Sequence, residues 1–327
     1  MFKNCSAITS ATIGDGDDAD VTIKGDFSKV TTLQDLFNGC SNLEDVEIKD
    51  DFPLLTNIGS LFTNCGTLKS AKLDGTFSSL TSLASLFNGK KNLTDATIKG
   101  DFSALTNVNS LFNGCSALTS ADIDFEKDAL TNMASMFKNC SAITSATIGD
   151  GDDADVTVKG DFSKVTTLQD MFNGCSALED IEINGDFSKL TNISSVLNGN
   201  TALKTAKLDG TFSSLTSLVS LFSGRSNLKT ATINGSFNEL TTMQEMFKDC
   251  DKITTALFNT EGDSDVKISG TFPKLESMNG MFRDCDKLST ASLEIPETVT
   301  VLNNLFKNSK LTSANVSNIA NVTTMES

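Results

Sequence analysis

A phenylalanine returns every 25 residues along this chain, so one short unit is written twelve times over. The anchors are Phe2, Phe37, Phe62, Phe87, Phe112, Phe137, Phe172, Leu197, Phe222, Phe247, Phe282 and Phe306, with Leu197 the one substitution. Steps between anchors are 25 residues, except for three of 35 and a last one of 24. A fixed period of roughly 20 to 50 residues marks a solenoid, whose units bury their apolar faces only against their neighbours. The whole of residues 1–327 therefore reads as a single repeat domain.

Within a unit, Leu93–Lys99 alternates, with Ala96 and Ile98 apolar, as a strand with one buried face requires. A turn at Gly100-Asp101 follows. Leu105, Val108, Leu111 and Phe112 then recur at helical spacing and predict a short helix, with Thr106 as its N-cap and Asn113-Gly114 as its left-handed stop. The expected fold is α/β: about twelve strand–turn–short-helix units sharing one continuous parallel β-sheet, with a parallel β-helix-like solenoid as the alternative. Eleven Phe lie on the anchor row and nine more (Phe27, Phe52, Phe77, Phe102, Phe162, Phe187, Phe212, Phe237, Phe272) on a second row, so both rows read as core. Residues 1–48 and 136–183 differ at only four positions, which points to duplication of a block about 135 residues long. The opening residues read as ordinary repeat rather than a signal peptide. First and last residues share a repeat phase, as in a cut from a longer array.

Composition excludes more than it selects. No His, Trp or Tyr is present, which removes Ser-His and Cys-His nucleophile pairs, the commonest transition-metal ligand and the usual aromatic hot spots. No carboxylate pair stands out, so an enzyme is not expected. A net charge of −16 opposes binding to nucleic acid or to anionic membrane. No stretch reaches the ~20 apolar residues of a membrane span.

The pattern M-F-x-x-C-S-x-[LI]-[TE]-[SD] at Met1–Ser10, Met136–Ser145 and Met171–Asp180, together with the closing segment Val316–Met325, resembles the BspA-like leucine-rich repeat surface proteins. The resemblance covers the whole chain. It implies a leucine-rich-repeat solenoid, an extracellular, cell-surface setting and a role in adhesion or protein binding. The rung here is longer than that family's usual one. The expected partner is an extracellular protein or glycan. The rival expectation is end-to-end self-association into a filament or surface layer.

Three features are candidates for chemistry. All eight Cys occupy one slot, three residues after the anchor, where other units carry Lys90, Asn200, Arg225 and Ser309. No C-x-x-C pair exists, so free thiols packed as small hydrophobes are expected, and the substitutions suggest a slot near the edge of the core. The 35-residue steps contain ten-residue inserts near 13–22, 148–157 and 258–267. Two of them carry Asp15, Asp17, Asp18 and Asp20, and Asp150, Asp152, Asp153 and Asp155, carboxylates that suit Ca²⁺. Their spacing is not that of the EF-hand loop, and a solvated acidic hairpin or bulge is the simpler reading. No other cofactor is expected. Finally, the outward strand row Glu47, Lys72, Thr97, Asp122, Glu182, Lys207, Thr232 and Ser292 forms a broad polar face that could bind through multiplicity.

Overall fold

The computed structural model describes residues 1–15, 19–125, 127–149, 155–193 and 195–326. Its strands are β1 (Ser10–Gly14), β2 (Val21–Ile23), β3 (Asp45–Lys49), β4 (Ser70–Thr76), β5 (Asp95–Asp101), β6 (Ser120–Phe125), β7 (Ser145–Ile148), β8 (Val156–Val158), β9 (Asp180–Asp186), β10 (Thr205–Thr211), β11 (Thr230–Ser236), β12 (Thr255–Phe258), β13 (Val266–Thr271), β14 (Thr290–Glu294) and β15 (Ser313–Ser317). All fifteen form one sheet, and the pairs in it are parallel. Equivalent residues face each other in register, as in Ala71↔Ala96↔Ala121 and Leu73↔Ile98↔Ile123. The strand alternation of the sequence is thus realised, with Ala96 and Ile98 buried in the core. At the strand end, a Cβ on Gly100 would lie 2.0 Å from the Gly75 carbonyl oxygen, and φ there is +112°. Only glycine allows the rungs to approach so closely.

The expected short helices are absent among the described residues, so the α/β label is corrected: opposite the sheet lie stacked turns. In the rung of Phe37, the N–H groups of Leu36, Asn38 and Cys40 donate within the rung to Leu33, Asp35 and Phe37. Between them, Leu33, Asp35, Phe37 and Gly39 donate outward to Asn57, Gly59, Leu61 and Thr63 of the next rung, at 2.8–3.2 Å. Asp35 (φ 58°) and Gly39 (φ 81°) are left-handed, and Ser110 and Gly114 repeat this in the rung of Phe112. A left-handed residue at every fourth position cannot continue a right-handed helix, and Ser, Asp, Asn and Gly tolerate it best. The apolar spacing of three and four suits stacked turns as well as a helix. Thr106 is not an N-cap. Its hydroxyl donates to the Thr81 carbonyl of the preceding rung at 3.1 Å, and Thr131 does the same to Thr106. Asn107 closes the local turn instead, accepting from Asn109 N–H at 2.9 Å.

The core consists of two ring columns. Neighbouring anchors stack with centroids 5.3–6.3 Å apart from Phe2 to Phe172 and from Phe222 to Phe306. The second row stacks likewise, and Phe125 and Phe258 join it at 5.4 and 5.2 Å. Leu197 interrupts the anchor column beside an apolar cavity of about 10 Å³, which includes Ile193, Leu221 and Phe222 in its lining.

Turn-side seams between rungs are closed by the four-bond pattern along most of the array, but among the described residues two seams lack all of its bonds. Between the rungs of Phe62 and Phe87, none of the N–H groups of Ile58, Ser60, Phe62 and Asn64 reaches the carbonyls of Ser82, Ala84, Leu86 and Asn88. Between the rungs of Leu197 and Phe222, the bonds expected from Ile193, Leu197 and Gly199 are likewise missing among the described residues. These seams lie 135 residues apart, at equivalent places in the duplicated block.

Candidate functional site

The outward row is assembled by strand register. Glu47 pairs with Lys72, Lys72 with Thr97, Thr97 with Asp122, and Glu182 with Lys207, which faces Thr232. Ser292 continues the row opposite Leu257. Its charges are paired along the solenoid axis: Glu47 with Lys72 at 3.2 Å, Glu182 with Lys207 at 2.7 Å and Asp122 with Lys99 at 2.5 Å. The Glu47 and Glu182 carboxylates push Lys72 and Lys207 above the usual lysine range. Such half-exposed pairs contribute little stability, typically ~0–1 kcal/mol, and leave a polar face of low local charge.

Sequence reasoning missed the share of this face that the inserts supply. Each insert adds a strand parallel to the one before it, with Ala11 opposite Val21 and Ala256 opposite Val266, so the hairpin reading is corrected. The chain passes β12, returns through Asn259–Asp265 and inserts β13 between β11 and β12. Thr12, Thr22, Thr157, Leu257 and Lys267 thereby enter the outward row. The alternating V-T-I, V-T-V and V-K-I after the three acidic stretches were the available signal. Beside the first insert, a cleft of about 640 Å³ opens on the sheet face, with Thr9, Ala19, Glu47, Lys49 and Lys72 in its wall.

Of the acidic candidates, Asp17, Asp18, Asp150, Asp152 and Asp153 lie outside the described residues, and Asp15 is exposed. Asp20 closes its loop by accepting from Thr9 N–H (2.8 Å) and Thr9 Oγ1 (2.6 Å), hydrogen bonds that hold its carboxyl below the usual range. Asp155 accepts from Thr144 Oγ1 at 2.5 Å, and Asp265 from Thr254 N–H and Oγ1 at 2.7 Å. These carboxylates serve strand-edge donors that have no carbonyl opposite. Among the described residues, no group of three or more Cys, Asp and Glu could hold a metal ion.

The cysteine slot is a donor slot. Each thiol from Cys40 onward donates to the anchor carbonyl of the preceding rung at 3.0–3.1 Å, as Cys115 does to Phe87 and Cys285 to Phe247. Ser309 does the same to Phe282, Asn200 to Phe172 with its amide nitrogen turned inward, and Arg225 to Leu197. All eight thiols are free, and those from Cys40 onward are fully buried rather than at the core's edge. Burial pushes Cys115, Cys175 and Cys285 up to about 12, which leaves them unreactive at neutral pH.

A parallel sheet on one side, stacked turns on the other and buried ring columns between them define a solenoid of the leucine-rich-repeat class. The chain belongs to the family described as Mycoplasma protein of unknown function, DUF285, matched over residues 56–157 and 152–260, and its last part, residues 255–327, matches the BspA type leucine rich repeat region. Among solved structures, it is similar to a leucine-rich repeat protein from Bacteroides ovatus (16% identity, TM-score 0.40, covering 95% of this chain and 85% of that one). Another from Eubacterium ventriosum shares 18% identity at TM-score 0.38, covering 93% and 83%. An internalin from Listeria monocytogenes shares 15% at TM-score 0.31, covering 98% and 86%. No curated protein matches.

Proposed function

We propose that the chain is an extracellular, non-enzymatic solenoid of the cell surface that adheres to a protein or glycan through the outward face of its sheet. The observation that carries this reading is the register of the outward row, which repeats one position across the sheet that is polar except at Leu257. Membership of the BspA-type repeat family supports the surface setting. No helix of the described residues is long and apolar enough to cross a membrane. Each rung offers few contacts, so affinity comes from engaging many rungs at once, where effective concentration replaces individual strength.

The test is binding of the purified chain to an array of extracellular-matrix proteins and glycans, read by surface plasmon resonance. A ligand bound by the sheet face loses affinity about tenfold or more with Lys72→Glu plus Lys207→Glu, which turn two paired positions repulsive. Binding unchanged by that variant, or absent across the array, rejects the reading.

A further inference from the structure

The open seam between the rungs of Phe62 and Phe87 holds a cleft of about 750 Å³. One wall is the row from Ile58 to Asn64, the other the row from Ser82 to Asn88, and Lys90 completes it. At closed seams these two rows bond to each other. Here the N–H groups of Ile58, Ser60, Phe62 and Asn64 have no partner among the described residues, and the carbonyls of Ser82, Ala84, Leu86 and Asn88 accept nothing. Leu86 is partly exposed where Leu61 and Leu111 on either side are buried. The sheet behind the cleft is intact, β4 pairing with both β3 and β5.

Lys90 stands in the donor slot, yet its ammonium makes no hydrogen bond or ion pair among the described residues although only 8% of the residue is exposed. Burial holds it below the usual lysine range, beside the thiols of Cys65 and Cys115. An ammonium that lines the cleft from a largely buried side chain, without a counter-charge, calls for an anion.

We propose that this cleft captures the carboxyl end of an extended peptide, which lies in the seam as an added strand with its carboxylate beside Lys90. Donors at every second residue on one wall and acceptors at every second residue on the other match a peptide backbone, and roughly four to six residues span them. Rungs here pair parallel, and a peptide running in the same direction ends at Lys90. The anchor side chains remain stacked behind it, Phe62 on Phe87 at 5.5 Å, so recognition is by backbone and terminus and tolerates varied side chains. This site lies on the turn side and is independent of the sheet face.

Hydrogen exchange on the full chain tests it. The probe is a millimolar pool of N-acetylated hexapeptides of Ala, Ser, Thr and Val with free C-terminal carboxylates, beside the same pool amidated. Without peptide, amides of Ile58, Ser60, Phe62 and Asn64 exchange at least tenfold faster than those of Leu33, Asp35, Phe37 and Gly39. The free-carboxylate pool slows them at least tenfold and the amidated pool does not. An amidated pool with Asp at its last position shows whether a side-chain carboxylate serves equally. Lys90→Cys, which installs the closed-seam residue, protects these amides without peptide. Lys90→Gln removes the difference between the two pools. Amides already protected in the free wild-type chain, equal effects of the free and amidated pools, or no effect of either would overturn the proposal.

Discussion

The two open seams are copies of one another, yet they have diverged. At the first, the anchor Phe62 is kept, the ring stack is unbroken, and Lys90 finds no partner among the described residues beside a wide cleft. At the second, Leu197 has replaced the ring, Arg225 reaches its carbonyl at 2.7 Å, and a small apolar cavity remains. What they share is a long cation in a slot that elsewhere holds a thiol, a hydroxyl or, at Asn200, an amide. Cysteine and serine slots go with closed seams, and Lys90 and Arg225 with open ones. A side chain several bonds longer than Cys cannot cap the preceding carbonyl at the same rung spacing, so the seam parts on the turn side while the sheet holds it together.

The largest effect that separates the two kinds of seam is pH. Thiols at closed seams have raised values in the folded state, so the stability they confer is complete below their ordinary value near 9 and is lost as pH climbs toward about 12. Lys90 runs the other way: its value is lowered, so its penalty is present at neutral pH and is relieved as pH rises toward the ordinary lysine value. Thiols far outnumber cations in the slot, so stability, and with it the melting temperature, should fall steadily above pH 9, at up to about 1.4 kcal/mol per pH unit for each buried thiol. A flat profile to pH 11 would refute the burial of these thiols in the core.

Anchor truncation comes next. Phe137→Ala, flanked by two stacked rings and closed seams, should cost ~3–5 kcal/mol. Leu197→Ala should cost less, ~2–3 kcal/mol, because that site already adjoins a void. Chemical denaturation measures both, and equal costs would mean that the second seam is packed as tightly as the rest. In the opposite direction, Leu197→Phe should fill the cavity and join Phe172 to Phe222, stabilising by ~1–2 kcal/mol through two new ring contacts. A lower melting temperature would show instead that the rung has closed in around the smaller residue.

Much of this was legible in the sequence, and the reason is periodicity. Ala96 and Ile98 announced the strand, and the two Phe rows announced columns that only stacking can bury. The turn side was misread because Leu105, Val108, Leu111 and Phe112 carry a spacing common to helices and overlapping turns. The deciding residues were Ser85, Ser110 and Ser135, small polar residues two before each anchor, where the backbone turns left-handed. The inserts looked like loops because a parallel strand placed so soon after another departs from the usual long crossover. The open seams had a subtler mark, Lys90 and Arg225 recurring 135 residues apart in a cysteine slot. Residue identity suggested an edge position, whereas the slot is defined by donation to a carbonyl, which Cys, Ser, Asn and Arg all perform.

That last point yields the smallest effect and the sharpest comparison. Arg225→Cys exchanges a buried guanidinium, whose Nε has no partner among the described residues, for the thiol of a closed seam. Losing the bond to Leu197 is offset by the new thiol bond to the same carbonyl, and removing the unsatisfied Nε adds about 1 kcal/mol of stability. If slot length alone holds the seam apart, amides of Leu197 and Gly199 should then exchange as slowly as those of Phe172 and Gly174, whose bonds to Val196 and Asn198 are made. If Leu197 is the wedge, only the double variant with Leu197→Phe will slow them, and the two seams are then open for different reasons.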